Sequence, residues 1–183
     1  MPGVPVTDPT GGDAGGSAGP ADPLLSAAAH RFEARVYYAD TDFSGVVYYG
    51  RYLEFLERGR SDLLHRAGVR HRDLISGTAA GIGEPLAWVV RRIALDYRGS
   101  ARIEDVIAVR TALTEARGAR LLMAQRVELD GHTIVEASVE AALVTLAGRP
   151  TRIPRAWIDR LTARPPAAPP GPTDADATPP VGD

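Results

Sequence analysis

The sequence predicts an α+β domain in which an antiparallel sheet wraps a single long helix. Three observations predict it. Residues 49–67 carry helical periodicity, β-rich segments follow one another from residue 86 to 143, and Asp130-Gly131 marks a tight hairpin between the last two. The ends bound the domain. Twelve of the fifteen prolines lie in residues 1–23 and 165–183, among Gly, Ala and Asp. Such compositions bury too little apolar surface to offset chain entropy. Residues 1–29 and 164–183 are therefore expected to be disordered tails, and the folded domain to span 30–163.

Taken in order, Phe32 to Tyr38 reads as the first strand. In the helix, Tyr52, Leu56, Gly59, Leu63 and Ala67 fall at helical spacing, and Leu53 and Leu64 widen the stripe. Glu54 with Arg58, and Asp62 with Arg66, are i,i+4 pairs for the solvent side. Glycine inside a buried stripe costs roughly 1 kcal/mol against alanine, so Gly59 implies close approach of the helix to the sheet. Gly68 ends the helix as a C-terminal glycine. The strands Leu86–Tyr97, Val106–Thr114 and Leu121–Leu129 follow, with a tight turn around Gly118. In the last strand Val135, Ala137, Val139, Ala141 and Leu143 alternate with Glu136, Ser138 and Glu140. A short closing helix is expected from Pro154 to Ala163. Gly77 to Gly83 reads as a loop, since it lacks the lysine and the strand–helix context of a phosphate-binding loop.

Composition narrows the function. A net charge of −2 gives no reason to expect nucleic acid or an anionic membrane as a partner. With no cysteine there is no thiol nucleophile, disulfide framework or cysteine metal site. No apolar run approaches the roughly 20 residues that span a bilayer, and the N-terminus lacks the pattern of a secretory signal. The reading is a cytoplasmic protein. No Gly-x-Ser-x-Gly elbow and no dinucleotide glycine fingerprint occur. The four histidines, His30, His65, His71 and His132, are scattered and read as surface residues.

What remains is the acidic turn Asp40-Thr41-Asp42, followed by a Gly-containing bend and the long helix. A carboxylate beside a helix N-terminus pairs a base or nucleophile with backbone N–H donors able to polarise a carbonyl. Asp40 and Asp42 are equally good turn formers or helix caps. Arg117 and Arg120 flank the turn around Gly118, where two guanidiniums suit a phosphate-bearing ligand or a solvated basic turn. Arg91 and Arg92 sit mid-strand, on opposite faces if the alternation is regular.

The run Tyr37-Tyr38-Ala39-Asp40-Thr41-Asp42, then Gly45-Val46-Val47-Tyr48, then Tyr52-Leu53-Glu54-Phe55-Leu56-Glu57-Arg58-Gly59-Arg60, resembles the hot-dog-fold acyl-CoA thioesterases. Within the 4-hydroxybenzoyl-CoA thioesterase family it is most similar to the bacterial Tol-Pal-associated group. The likeness continues through Ala87-Trp88-Val89-Val90-Arg91-Arg92 and Asp96-Tyr97 to Ala101-Arg102-Ile103-Glu104-Asp105. It implies a hot-dog domain over about residues 32–163. It further implies that Asp42 is the catalytic carboxylate and that the backbone N–H near Tyr49 polarises the thioester carbonyl. Tyr38 matches a tyrosine near the site, and Arg117 and Arg120 fall at the turn whose basic residues contact coenzyme A phosphates. The Tol-Pal-associated group usually carries histidine where this chain has Tyr49, whereas the 4-hydroxybenzoyl branch carries tyrosine.

The resemblance thus implies hydrolysis of an acyl-CoA to free acid and coenzyme A, without metal or redox cofactor. The active unit would be a dimer, often assembled to a homotetramer, with sites at the subunit interface. Two other classes stay open: a hot-dog dehydratase, which usually needs a histidine, and a non-catalytic acyl-carrier or scaffold partner linked to envelope maintenance.

Overall fold

A computed structural model of the chain describes residues 22–26, 29–79 and 83–163. The expectations for residues 1–21 and 164–183, and the middle of the Gly77–Gly83 loop, lie outside them. The architecture is the expected hot-dog: an antiparallel five-stranded sheet curled around one long helix. The strands are β1 (His30–Arg35), β2 (Leu86–Tyr97), β3 (Val106–Arg117), β4 (Arg120–Leu129) and β5 (His132–Thr145), in the order β1-β3-β4-β5-β2. The helices are α1 (Arg51–Arg66), α2 (His71–Ile75) and α3 (Arg155–Thr162). The hairpin joining β4 to β5 turns at Asp130 and Gly131, both at positive φ (50° and 78°). Aspartate and glycine tolerate that region best, and such a turn matches the twist of the flanking strands.

Alternation lays the apolar face of the sheet against α1. Leu121, Met123 and Val127 of β4, with Val135, Val139 and Leu143 of β5, are buried, and each points to the helix side because every second side chain does. On α1 the buried stripe is Tyr52, Phe55, Leu56, Gly59, Arg60, Leu63 and Leu64. Two expectations are corrected here. Leu53 is exposed, and Phe55 takes its place in the stripe. Glu54 pairs with Arg51 one turn back, while Arg58 lies over the Phe55 ring at 5.6 Å. The Asp62–Arg66 pair forms as expected, at 2.9 Å.

Gly59 does mark a close approach. A Cβ built there would sit 2.7 Å from Val109 Cγ1 and 3.3 Å from Thr111 Oγ1, both on β3. A β-branched valine in a strand yields little. Gly59→Leu is expected to destabilise the fold by about 1–3 kcal/mol, as overpacking does. An unchanged urea midpoint would contradict this account of the helix–sheet contact.

Other differences have local causes. His30 is buried, not superficial: its Nε2 lies 2.8 Å from Asp62 Oδ2, and burial holds its pKa below the ordinary histidine value. A register shift between Val90 and Arg92 interrupts the alternation of β2, so Arg91 and Arg92 are both exposed, and Arg91 Nη1 donates to Glu140 Oε1 at 2.7 Å. The N-terminal tail expectation is corrected at residues 22–26. Pro23–Leu25 form a turn of 3-10 helix that packs on β3 and β4. Leu24 is buried there, and Asp22 Oδ2 accepts from Arg126 Nη2 at 2.8 Å.

Candidate active site

The acidic turn is built by its own backbone. Tyr38–Asp40 form one turn of 3-10 helix. Asp40 is buried and spent on structure: its Oδ2 accepts from the Tyr37 N–H at 2.8 Å, and its carbonyl accepts from the Tyr48 N–H at 3.0 Å. Of the two aspartates, Asp40 is the capping residue. Asp42 then leads a tight loop closed by its N–H to the Val46 carbonyl (3.0 Å) and by the Gly45 N–H to its own carbonyl (3.0 Å). Gly45, at φ 76°, supplies the left-handed residue this loop requires. Bridges from Val46 to Arg102, and from the Val47 N–H to the Ala101 carbonyl, tie the loop to the segment before β3.

Asp42 is partly buried as a residue, and its carboxylate is open to solvent. Oδ1 accepts from the Ser44 N–H at 2.8 Å and from the Ser44 hydroxyl. Those bonds stabilise the charged form and hold its pKa below the ordinary aspartate value. Oδ2 has no partner among the described residues, so one ionised oxygen remains free to act.

The helix start lies alongside. No side chain caps α1, whose N-cap is Gly50. The Arg51 N–H donates to the Tyr48 carbonyl (2.8 Å) and the Leu53 N–H to the Gly50 carbonyl (3.2 Å). Those of Tyr49, Gly50 and Tyr52 have no partner among the described residues and lie at the positive end of the dipole, open to an incoming anion. Asp42, Tyr48, Gly50, Arg51 and Glu54 line one cleft of about 460 Å³. Tyr49 sits just before the cap rather than in the helix, and its N–H has no partner among the described residues. Its carbonyl accepts from the Tyr97 hydroxyl at 3.1 Å, and its ring packs between those of Tyr48 and Tyr97. The ring is therefore held by a tilted contact and an edge-on contact, while the amide is left free.

Two cleft residues escaped sequence reasoning. Arg51 Nη2 donates to the Ala39 carbonyl at 3.0 Å, its Nε lies 3.8 Å from Asp40 Oδ1, and its Nη1 donates to Glu54. It clamps the acidic turn onto the helix start. The i,i+3 spacing of Arg51 and Glu54 was the available signal.

Tyr49 is flanked by the cleft residues Tyr48 and Gly50 but does not itself line the cleft, and the remaining expected site residues stand apart. Tyr38 is 83% exposed and does not line the cleft. Arg117 and Arg120 flank the β3–β4 turn, which Ile153 and Leu143 join through hydrogen bonds to the Gly118 and Ala119 carbonyls. The Asp42 loop is tied to the opposite end of β3. The strand's twelve residues span roughly 35–40 Å, so one chain does not bring these arginines to Asp42. Arg120 Nη1 also donates to Glu140 Oε1 at 3.2 Å, whereas Arg117 is exposed without an ion pair among the described residues.

An ionised carboxylate beside free helix-start amides can attack a carbonyl, or activate water to do so, while the amides receive the developing oxyanion. The chain as a whole is similar to known proteins. Residues 36–171 match the family model of the thioesterase-like superfamily. The acyl-CoA thioesterase YbgC of Haemophilus influenzae is 36% identical over 125 residues, covering 68% of this chain and 88% of its own. The acyl-CoA thioester hydrolase YbgC of Escherichia coli O6:H1 is 35% identical over 130 residues, covering 70% and 92%. Among solved structures, a probable thioesterase from Bartonella henselae superposes with a TM-score of 0.66 at 44% identity, over 69% of this chain and 99% of that one.

Proposed function

Because this chain belongs to the thioesterase-like superfamily, we propose that it is an acyl-CoA thioesterase, hydrolysing an acyl-CoA thioester to free acid and coenzyme A. The observation that carries this reading is the shared cleft of Asp42 and the uncapped start of α1. Asp42 acts as nucleophile on the thioester carbon or as base for the attacking water. The N–H groups around Tyr49 hold the oxyanion. As nucleophile Asp42 displaces the coenzyme A thiolate and forms an acyl anhydride that water then cleaves; as base it takes a proton from the water that displaces the thiolate directly. Either way one water is consumed, one of its protons ends on the coenzyme A thiol, and the other goes to solvent as the acid leaves as carboxylate. A panel of acyl-CoA substrates assayed by thiol detection tests the proposal. Release of free coenzyme A supports it, while binding without turnover would favour the scaffold reading.

The active unit we propose is a dimer. β2 is an edge strand, with one side of its backbone unpaired in the sheet, and an uncovered edge is a template for another strand. Its Tyr97 end touches Tyr49. Its Leu86 end runs beside the part of β5 that faces Arg120 on β4. Antiparallel pairing of two β2 edges about a two-fold axis would set each Tyr97 end near the other chain's Leu86 end. It would thereby carry Arg117 and Arg120 of the partner subunit toward Asp42.

If those arginines hold coenzyme A phosphates there, Arg117→Ala with Arg120→Ala raises KM for acyl-CoA roughly tenfold or more. Charge-assisted hydrogen bonds are worth about 1.5–3 kcal/mol. An acyl-pantetheine, which lacks the nucleotide phosphates, should be nearly unaffected. Equal losses on both substrates would point to damage to the fold instead.

A further inference from the structure

A second cavity, of about 110 Å³, lies between the C-terminal half of α1 and the helix side of the sheet. It shares no lining residue with the Asp42 cleft. Its walls are mostly apolar, with Leu64, Leu113, Leu121 and Met123 among them. Two polar groups break that surface. Arg60 is only 8% exposed, yet no carboxylate of the described residues lies within ion-pairing distance of it. One of its five N–H donors is used, Nη1 to Gln125 Oε1 at 2.7 Å. Gln125 is itself fixed, its Nε2 donating to the Leu56 carbonyl (2.9 Å) and to Thr111 Oγ1 (2.8 Å). The guanidinium is thus held in place rather than neutralised. Trp88 also lines the cavity, and its buried Nε1–H has no partner among the described residues.

A buried cation whose one facing carboxylate, Glu57, stands at the exposed rim beyond ion-pairing distance is only partly compensated, and a buried donor without an acceptor is costly too. One ligand chemistry answers both: a carboxylate with a short apolar body. Glu57 and His71 are exposed residues at the same cavity. The Glu57 carboxylate is engaged by the Ser61 hydroxyl, and at the exposed rim water screens its charge. For scale, a 150 Å³ apolar cavity accepts benzene, so this one suits an acid of roughly three to five carbons.

We infer that this cavity is a binding site for a short organic carboxylate, received by Arg60 and Trp88. The carboxylate is either a free acid or the far end of a dicarboxylic acyl group.

Calorimetric titration of the full-length protein tests the site without calling on its hydrolytic activity. Sodium butyrate should bind saturably at one site per chain, and butyramide, its neutral isostere, at least about tenfold more weakly. Arg60→Met should abolish the difference. Should that variant fail to fold, Trp88→Phe, which keeps the ring and removes the donor, should still weaken butyrate several-fold. Absence of saturable butyrate binding, equal binding of butyramide, or unchanged binding in Trp88→Phe would each overturn the inference. A second arm, which rests on the thioesterase reading, separates the two sources. A KM raised by Trp88→Phe for glutaryl-CoA but not for butyryl-CoA assigns the carboxylate to the substrate. Equal KM changes assign the site to a free acid.

Discussion

Replacing Asp42 with asparagine leaves a folded protein whose turnover of acyl-CoA falls by at least about 10²-fold, the scale of losing an acid–base group. Asparagine preserves the shape of the loop and can still accept from Ser44, so the change removes charge and basicity and little else. The structure also supplies the control. Asp40 caps Tyr37 and faces Arg51, and asparagine remains a good capping residue. Asp40→Asn should therefore cost some stability and far less turnover. Near-native turnover by folded, uncontaminated Asp42→Asn protein would remove Asp42 from the chemistry.

The second large effect concerns the amide of Tyr49. Tyr49→Pro deletes the free N–H that the oxyanion needs, and turnover should fall by about 10²–10³-fold, the usual loss for one oxyanion donor. Circular dichroism must show the helix intact. Tyr49→Phe keeps the amide and the ring contacts with Tyr48 and Tyr97, and should retain most activity. Tyr49→His, with a smaller and more polar ring, should shift acyl preference rather than abolish turnover. Loss of turnover in folded Tyr49→Phe would make the phenol itself catalytic and end the backbone-amide account.

Much of this architecture was legible because its determinants are local and repeated. The stripe on α1, the alternation of β5 and the positive-φ pair Asp130-Gly131 each state their structure within a few residues. Gly59 even announced its contact, since an isolated glycine in a buried stripe needs a reason, and Val109 is that reason. What stayed hidden depends on partners far along the chain. α2 is five residues long, with Leu74 its one buried side chain, too short for a period to emerge. The docking of Pro23–Leu25 rests on Leu24 and on an ion pair spanning 104 residues. The irregularity of β2 at Arg91 has no glycine or proline to mark it. At the site, spacing alone could not separate Asp40 from Asp42, because both suit a turn. Their hydrogen bonds separate them: Asp40 is spent on Tyr37 and faces Arg51, while Asp42 keeps one oxygen free. The burial of Arg60 was unreadable for the same reason, since its supporting Gln125 lies 65 residues away on β4.

The pH dependence of kcat/KM most directly tests whether a carboxylate does this chemistry. The hydrogen bonds from Ser44 lower the Asp42 pKa, so its active, ionised form persists throughout the ordinary working range and is lost only as pH falls through a value below that of a normal aspartate, about 3.9. The account predicts a profile that stays flat from about pH 8 down to about pH 5. Measured with an acyl-pantetheine, which carries no titrating phosphate, a single-proton acid limb near pH 6.5, the histidine range, that persists in a His30→Gln variant would contradict it, because the essential group would then be an imidazole and not Asp42.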